Sequence, residues 1–429
     1  MAISVILSRL TSPPVVSIST MAYLRSVLIL TRLHIFAFGT LISLFSFICH
    51  GSAPLTTQPT VQPIMPGAWD TEAYLPLLKG KRVGLVVNHT STIGRTHLVD
   101  SLISRDVNVV ALFSPEHGLR GKEEAGALIN DSIDVVTGVK IISLYGEKKK
   151  PAPADLKGID VLVFDIQDVG VRFYTYISTL HYLMEAAAAT NIKLIVLDRP
   201  NPNGHYIDGP LMDTTRFQSF VGMHPIPVVY GMTIGELGQM INGEKWIMKK
   251  CDLTVIPCKH YDHTMPYELP AKPSPNLPNQ RAVLLYPGIC FFEGTPISLG
   301  RGTTMPFQVV GHPDYPDHSF SFTPISMTSA KTPPLKDKLC YGVDLSGTNV
   351  DSLFRQRKMD LSVLLHFYKT MDKSTFFNAA WFDKLAGNSS LRQSIEAGWG
   401  EEQIRESWKP DLEKFNQRRK LYLLYPDFE

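Results

Sequence analysis

Asp160-Val161-Leu162-Val163-Phe164, the segment Tyr176–Thr190, and Lys193-Leu194-Ile195-Val196-Leu197 together decide the fold. The two outer runs are continuously apolar rather than alternating, as a strand covered on both faces requires, and the alanine- and leucine-rich segment between them has helical length. Strand, helix and buried strand in that order make a parallel crossover unit. Toward the N-terminus the pattern recurs. Lys81-Arg82-Val83-Gly84-Leu85-Val86-Val87 is a strand, and 96–105 has the helical spacing of Leu98, Leu102 and Ile103. Further strands are expected at 107–113 and 139–144. Toward the C-terminus, 233–246 is a helix opened by Thr233 with Glu236 three residues on, the pattern of a capping box. The expected architecture is α/β, a Rossmann-like doubly wound parallel sheet domain over 71–247. A smaller α+β C-terminal domain over 248–429 is expected to pack against the first. In it, strands are expected at 253–256 and 282–286, and helices near 352–368 and 410–424.

With 429 residues, 44% hydrophobic and 19% charged, the chain has ample apolar content for a core without repeated long apolar runs. That excludes a disordered tail and a multi-span membrane protein. Arg9, Arg25 and Arg32 precede or flank an uncharged stretch over 35–49 that ends at Gly51-Ser52-Ala53, which reads as a signal peptide over 1–53. Pro54, Pro59, Pro63 and Pro66 mark 54–70 as a linker. The protein is therefore expected to be exported, periplasmic or attached to the cell envelope, touching a membrane only through the leader or a lipid on Cys49. Without the three leader arginines the formal charge of +2 becomes −1, with no basic block, so nucleic acid is not an expected partner. Cys251, Cys258, Cys290 and Cys340 are scattered through a chain large enough not to need disulfides, and buried thiols are expected.

In an open parallel sheet the ligand crevice lies beyond the carboxyl ends of the strands. Those ends read Asn88-His89-Thr90, Ser114-Pro115-Glu116-His117-Gly118, Asp165-Ile166-Gln167-Asp168 and Asp198-Arg199-Pro200-Asn201. Any one of them is explained by turn and capping chemistry; four at one rim point to a site. No G-x-G-x-x-G turn follows the first strand and no G-x-x-x-x-G-K-[ST] loop occurs, which argues against nucleotide ligands. His260 and His263, in a loop rich in proline and tyrosine, read as surface residues rather than a metal pair. The segment from Gly288 to Thr304 gathers Glu293, Thr295, Arg301 and Thr303 among glycines. It is either a second wall of the site or a structural turn with Glu293 and Arg301 paired to each other.

Ser114-Pro115-Glu116-His117-Gly118-Leu119-Arg120-Gly121, the run from Asp165 to Tyr176, Asp198-Arg199-Pro200-Asn201-Pro202 and the run from Glu293 to Thr304 together resemble the exo-β-N-acetylmuramidases of glycoside hydrolase family 171, a family formerly known as DUF1343. The resemblance extends from about residue 65 to the end. It implies a Rossmann-like domain joined to a smaller one with the cleft between them, and release of N-acetylmuramic acid from the non-reducing end of peptidoglycan fragments such as muropeptides or disaccharides. It implies no cofactor and no metal. The family's proposed catalytic glutamate falls on Glu116. Pro296 stands where the family pattern leads one to expect Asn.

Cleaving a glycosidic bond requires a protonated acid at the leaving oxygen and a group that stabilises positive charge at the anomeric carbon. Glu116 suits the first task, with His117 positioning it or a water. For the second, Asp165, Asp168, Glu293 and the substrate's own 2-acetamido group all stand as candidates. The lactyl carboxylate of muramic acid suits Arg172 or Arg301. Asn88, Asp198, Arg199, Asn201, Thr295 and Thr303 are polar groups for sugar hydroxyls, and Tyr174, Tyr176 and Phe292 are faces for pyranose rings. The rival expectation is a two-lobed binding protein for muropeptides or sugars, with the same architecture and no catalysis.

Overall fold

The computed structural model describes residues 62–116, 118–119 and 132–429. The expected leader over 1–53, the beginning of the expected linker and His117 lie outside the described residues. The central sheet contains β1 (Arg82–Val87), β2 (Asn108–Ser114), β3 (Ser132–Ile133), β4 (Lys140–Ser143), β5 (Val161–Asp165), β6 (Lys193–Leu197) and β7 (Leu253–Ile256), in the spatial order β3-β4-β2-β1-β5-β6-β7. All neighbours are parallel except the short β3 against β4. The chain winds outward from β1 in one direction through β2 and β4, and in the other through β5, β6 and β7. The reversal of winding therefore falls between β1 and β5, where open α/β sheets form their crevice.

Successive buried side chains of β1 enter opposite faces of the sheet and divide the core in two. Val83, Leu85 and Val87 join Tyr74, Leu98 and Leu102 under the short helices Thr71–Leu78 and Leu98–Ile103. Val86, with Phe113, Leu162 and Phe164, faces helices Tyr176–Thr190 and Ile234–Gly243 on the other side. Both faces are covered, as the uninterrupted apolar runs require. Gly84 is needed here, since a Cβ would sit 2.9 Å from Ile159 Cδ1 and 2.9 Å from Leu162 Cδ2. The second of these cores runs on without a break into Phe291, Phe292, Phe367 and Phe382, so the C-terminal half packs on the sheet's helices through one shared interior.

Several sequence expectations change. Leu253–Ile256, assigned to the second domain, is the edge strand of the main sheet, hydrogen-bonded in parallel to Lys193–Leu197. The run 282–286, expected as a strand, lies in the helix Gln280–Ile289. There the Asn279 side chain accepts from Ala282 N at 2.9 Å and caps it, and a short run apolar on all sides fits a buried helix as well as a strand. The helix expected over 352–368 is two, Val350–Gln356 and Ser362–Thr370, separated after Arg357 takes φ 48°. Helix Ile234–Gly243 has the expected capping box: Thr233 Oγ1 accepts from Glu236 N, and the Glu236 carboxylate accepts from Thr233 N. His263 is not at the surface. Its ring is fully buried, with Nε2 3.0 Å from the Glu236 carboxylate, and it fastens its loop to the start of that helix. Cys251, Cys258, Cys290 and Cys340 are buried free thiols, as expected. A three-stranded antiparallel sheet, Val309–His312, Cys340–Asp344 and Ser321–Phe322, and helices up to Glu401–Arg419 complete the C-terminal half. Among the described residues no helix is long and apolar enough to cross a membrane.

Candidate active site

The strand ends divide into a buried layer and an open one. In the buried layer, Asp165 at the end of β5 receives Arg199 through Nε at 2.6 Å and Nη2 at 2.9 Å, both side chains being 1% exposed or less. Arg199 Nη2 also reaches Thr92 O at 3.2 Å, and Ser91 Oγ donates to the Asp165 carbonyl. Asn88 Oδ1 accepts from Thr90 N and Oγ1, while Nδ2 donates to Tyr176 Oη at 2.8 Å. Asp198 accepts from Arg199 N, Gly235 N, Thr233 Oγ1 and Tyr425 Oη, tying a strand end, a helix start and the C-terminal tail together. Burial pushes its carboxyl up to about 6, against the pull of those donors. Asn201 donates to Met232 O and accepts from Asn203 N. It packs so closely that a Cβ on Gly170, at φ 75°, would meet its Oδ1 at 2.1 Å.

Asp168 belongs to the same layer. Its Oδ2 accepts from Tyr230 Oη and from Gly170 N at 2.7 Å. Burial pushes this carboxyl up from the usual 3.8 to about 6, with Tyr230 Oη and the backbone N–H groups of Gly170 and Val169 pulling the other way. The folded state therefore binds more protons than the unfolded one in the window between. This group's share of stability is largest at the acid end of that window and falls as pH rises through about 6, by up to about 3 kcal/mol. Asp168→Asn keeps an oxygen for Tyr230 and Gly170 and removes the charge. Thermal melts from pH 4 to 7 should show the variant at least as stable as the parent at pH 7, with a shallower decline across that range. A variant much less stable at pH 7 would contradict the assignment.

Arg172, expected to bind a substrate carboxylate, is fully buried and donates to four backbone carbonyls: Pro210 at 2.8 Å, Ile226 at 2.7 Å, Leu385 at 3.0 Å and Ala386 at 2.7 Å. Its two terminal nitrogens join the two halves of the chain, because a guanidinium removed from water seeks acceptors for its donors, while the buried Nε has no partner. Tyr174 Oη donates to Pro273 O at 2.6 Å, and Thr303 Oγ1 donates to Gly300 O within a turn.

The open layer is a cleft between the two halves. Its wall on the sheet side carries Glu116, Tyr145, Lys149 and Thr175, continued by Ser219, Phe220 and Val221. The other wall carries Phe292, Glu293, Thr295, Ile297, Leu299, Arg301, Trp381 and Lys384. Glu116 Oε1 accepts from Tyr145 Oη at 2.9 Å and Oε2 from Thr175 Oγ1 at 3.3 Å, so its carboxyl is aimed by two hydroxyls, one just past β4 and one at the start of helix Tyr176–Thr190. Glu293 receives Arg301 Nη2 at 2.6 Å, and Thr295 Oγ1 turns back to Phe292 O at 2.8 Å. Glu116, Glu293, Thr295 and Arg301 thus come together at the cleft. Asn88, Asp165, Asp168, Arg172, Tyr174, Asp198, Arg199 and Asn201 are buried in the framework beneath it. Among the described residues Glu116 and Glu293 are the carboxylates lining the cleft, an arrangement suited to acid-assisted cleavage of a bond to oxygen.

Tyr145 and Thr175 were missed by sequence reasoning although signals existed. Tyr145 follows β4, whose end the strand-end rule covers, and Thr175 lies inside the Asp165 to Tyr176 motif. Lys149, Phe220, Trp381 and Lys384 carry no local signature.

Comparison with known proteins now decides the family. The model for the N-terminal part of exo-β-N-acetylmuramidase NamZ matches residues 83–281, and the model for its C-terminal part matches 284–425. The chain belongs to the exo-β-N-acetylmuramidase NamZ family. It is 41% identical over 419 residues to the peptidoglycan β-N-acetylmuramidase NamZ of Bacillus subtilis (strain 168), spanning 92% of this chain and 100% of that one. Among solved structures it is similar to two DUF1343 family proteins of Bacteroides fragilis NCTC 9343. One is 48% identical with a TM-score of 0.80, over 85% of this chain and 100% of that chain. The other is 30% identical with a TM-score of 0.73, over 86% and 100%. This NamZ-family chain is accordingly a muramidase-type glycoside hydrolase, which sets aside the reading as a non-catalytic binding protein.

Proposed function

We propose that the protein is an exported, exo-acting hydrolase that removes N-acetylmuramic acid from the non-reducing end of peptidoglycan fragments, with Glu116 as general acid and base. The observation that carries the proposal is the Glu116 carboxyl on the cleft wall, oriented by Tyr145 and Thr175. The acid form of Glu116 gives its proton to the glycosidic oxygen as the bond to the anomeric carbon breaks. Water adds to that carbon and its proton returns to the carboxylate. Positive charge at the carbon is met by Glu293, held in place by Arg301, or by the substrate's 2-acetamido oxygen. Asp165, engaged on both oxygens by Arg199, takes no part in this step. The leader over 1–53 supports delivery to the periplasm or cell envelope, where such fragments arise. Incubation with disaccharide muropeptides should release free N-acetylmuramic acid; an unchanged disaccharide after long incubation would overturn the proposal.

A further inference from the structure

The buried role of Arg172 and the Glu293–Arg301 pair leave open which groups meet the lactyl carboxylate that sets muramic acid apart from other amino sugars. Two half-buried lysines stand on the cleft wall. Lys148 and Lys150 are engaged with Asp155 and Glu185, each at 2.8 Å, and Lys149 between them turns instead to the cleft, its Nζ 4.6 Å from the Phe220 ring centre. Lys384 comes from helix Ala379–Ala386, its Nζ 5.5 Å from the Trp381 ring centre. Among the described residues neither ammonium has a carboxylate partner. The backbone oxygen of Lys384 lies 3.9 Å from where a Cβ on Gly222 would be, so its helix abuts the same 219–222 segment that carries Phe220. In that segment Ser219 and Phe220 both line the cleft, the Ser219 hydroxyl itself being buried.

With Glu293 and Arg301 neutralising each other, the cleft keeps, among the described residues, the two lysine ammoniums and the Glu116 acid. An unpaired ammonium in a partly desolvated cleft favours an anionic ligand. We infer that Lys149 and Lys384 bind the lactyl carboxylate and are the groups that discriminate N-acetylmuramic acid from N-acetylglucosamine. The neighbouring Phe220 and Trp381 faces suit the lactyl methyl and the pyranose ring. The inference rests on the proposed substrate, and its test is a binding measurement that does not depend on turnover.

Calorimetric titration of the parent protein with the two free monosaccharides should show N-acetylmuramic acid bound about tenfold more tightly, as one charge-assisted contact provides. In the Lys149→Gln/Lys384→Gln variant the two sugars should bind alike, whereas Lys149→Arg/Lys384→Arg should retain the difference. A preference that survives the glutamine pair, or that is absent from the parent, overturns the inference. Loss of the preference only alongside loss in the arginine pair as well would point to packing rather than charge and overturn it too. Failure of the hydrolase proposal is read separately, as absence of sugar release by the parent.

Discussion

Glu116→Gln lowers kcat on a MurNAc-terminated disaccharide by about 10²- to 10⁴-fold, the usual contribution of a positioned general acid. The substitution isolates the proton. Glutamine has the same shape, its amide oxygen can still accept from Tyr145 Oη and its amide nitrogen can face Thr175 Oγ1, so the loop keeps its geometry. Melting temperature and KM should therefore change little while kcat collapses. The size of the loss should follow the leaving group. A nitrophenyl aglycone departs as a stabilised anion and needs little protonation, so the variant should retain more of its activity on a nitrophenyl β-N-acetylmuramide than on the disaccharide. Near-parental kcat on both substrates would remove Glu116 from the reaction.

Arg199→Met destabilises the fold by about 3–5 kcal/mol, because Asp165 is left as an uncompensated charge beneath the cleft. Both side chains are essentially excluded from water, and the two parallel N–H···O contacts are the carboxylate's side-chain partners. Chemical denaturation of the purified variant measures the loss. Adding Asp165→Asn should recover much of it, since the pair then presents no charge to the interior. A single variant within about 1 kcal/mol of the parent would mean that the pair is hydrated or replaceable, and that Asp165 is available for other work.

The fold was legible where the physics is local. Helix Tyr176–Thr190 and strands β1, β2, β5 and β6 follow from runs long enough to carry their own period, and the Thr233–Glu236 box from adjacent capping groups. The segment 282–286 was misread because five apolar residues have no period to read; only the cap at Asn279 and the packing around it select a helix. Leu253–Ile256 was placed in the second domain because edge pairing to β6 is a contact across more than fifty residues, which no local pattern records. The site was legible as a rim but not in its orientation. The strand-end rule leads to Asn88, Glu116, Asp165 and Asp198 alike, yet a polar side chain at such a position can turn down to satisfy buried neighbours or up to face a ligand. Asp165 and Asp198 turn down because Arg199, Thr233 and Tyr425 meet them there. Glu116 faces the cleft because Tyr145 and Thr175 hold it at the edge. Trp381 and Lys384 reach the same cleft from the C-terminal half through tertiary packing alone.

The most direct test of the account is the time course of products from a defined alternating glycan with N-acetylmuramic acid at its non-reducing end and a label at its reducing end. The account predicts free N-acetylmuramic acid as the small product from the first time point, one equivalent per chain, with the label on a chain one sugar shorter. Labelled fragments from internal cuts, or an untouched glycan, would contradict it.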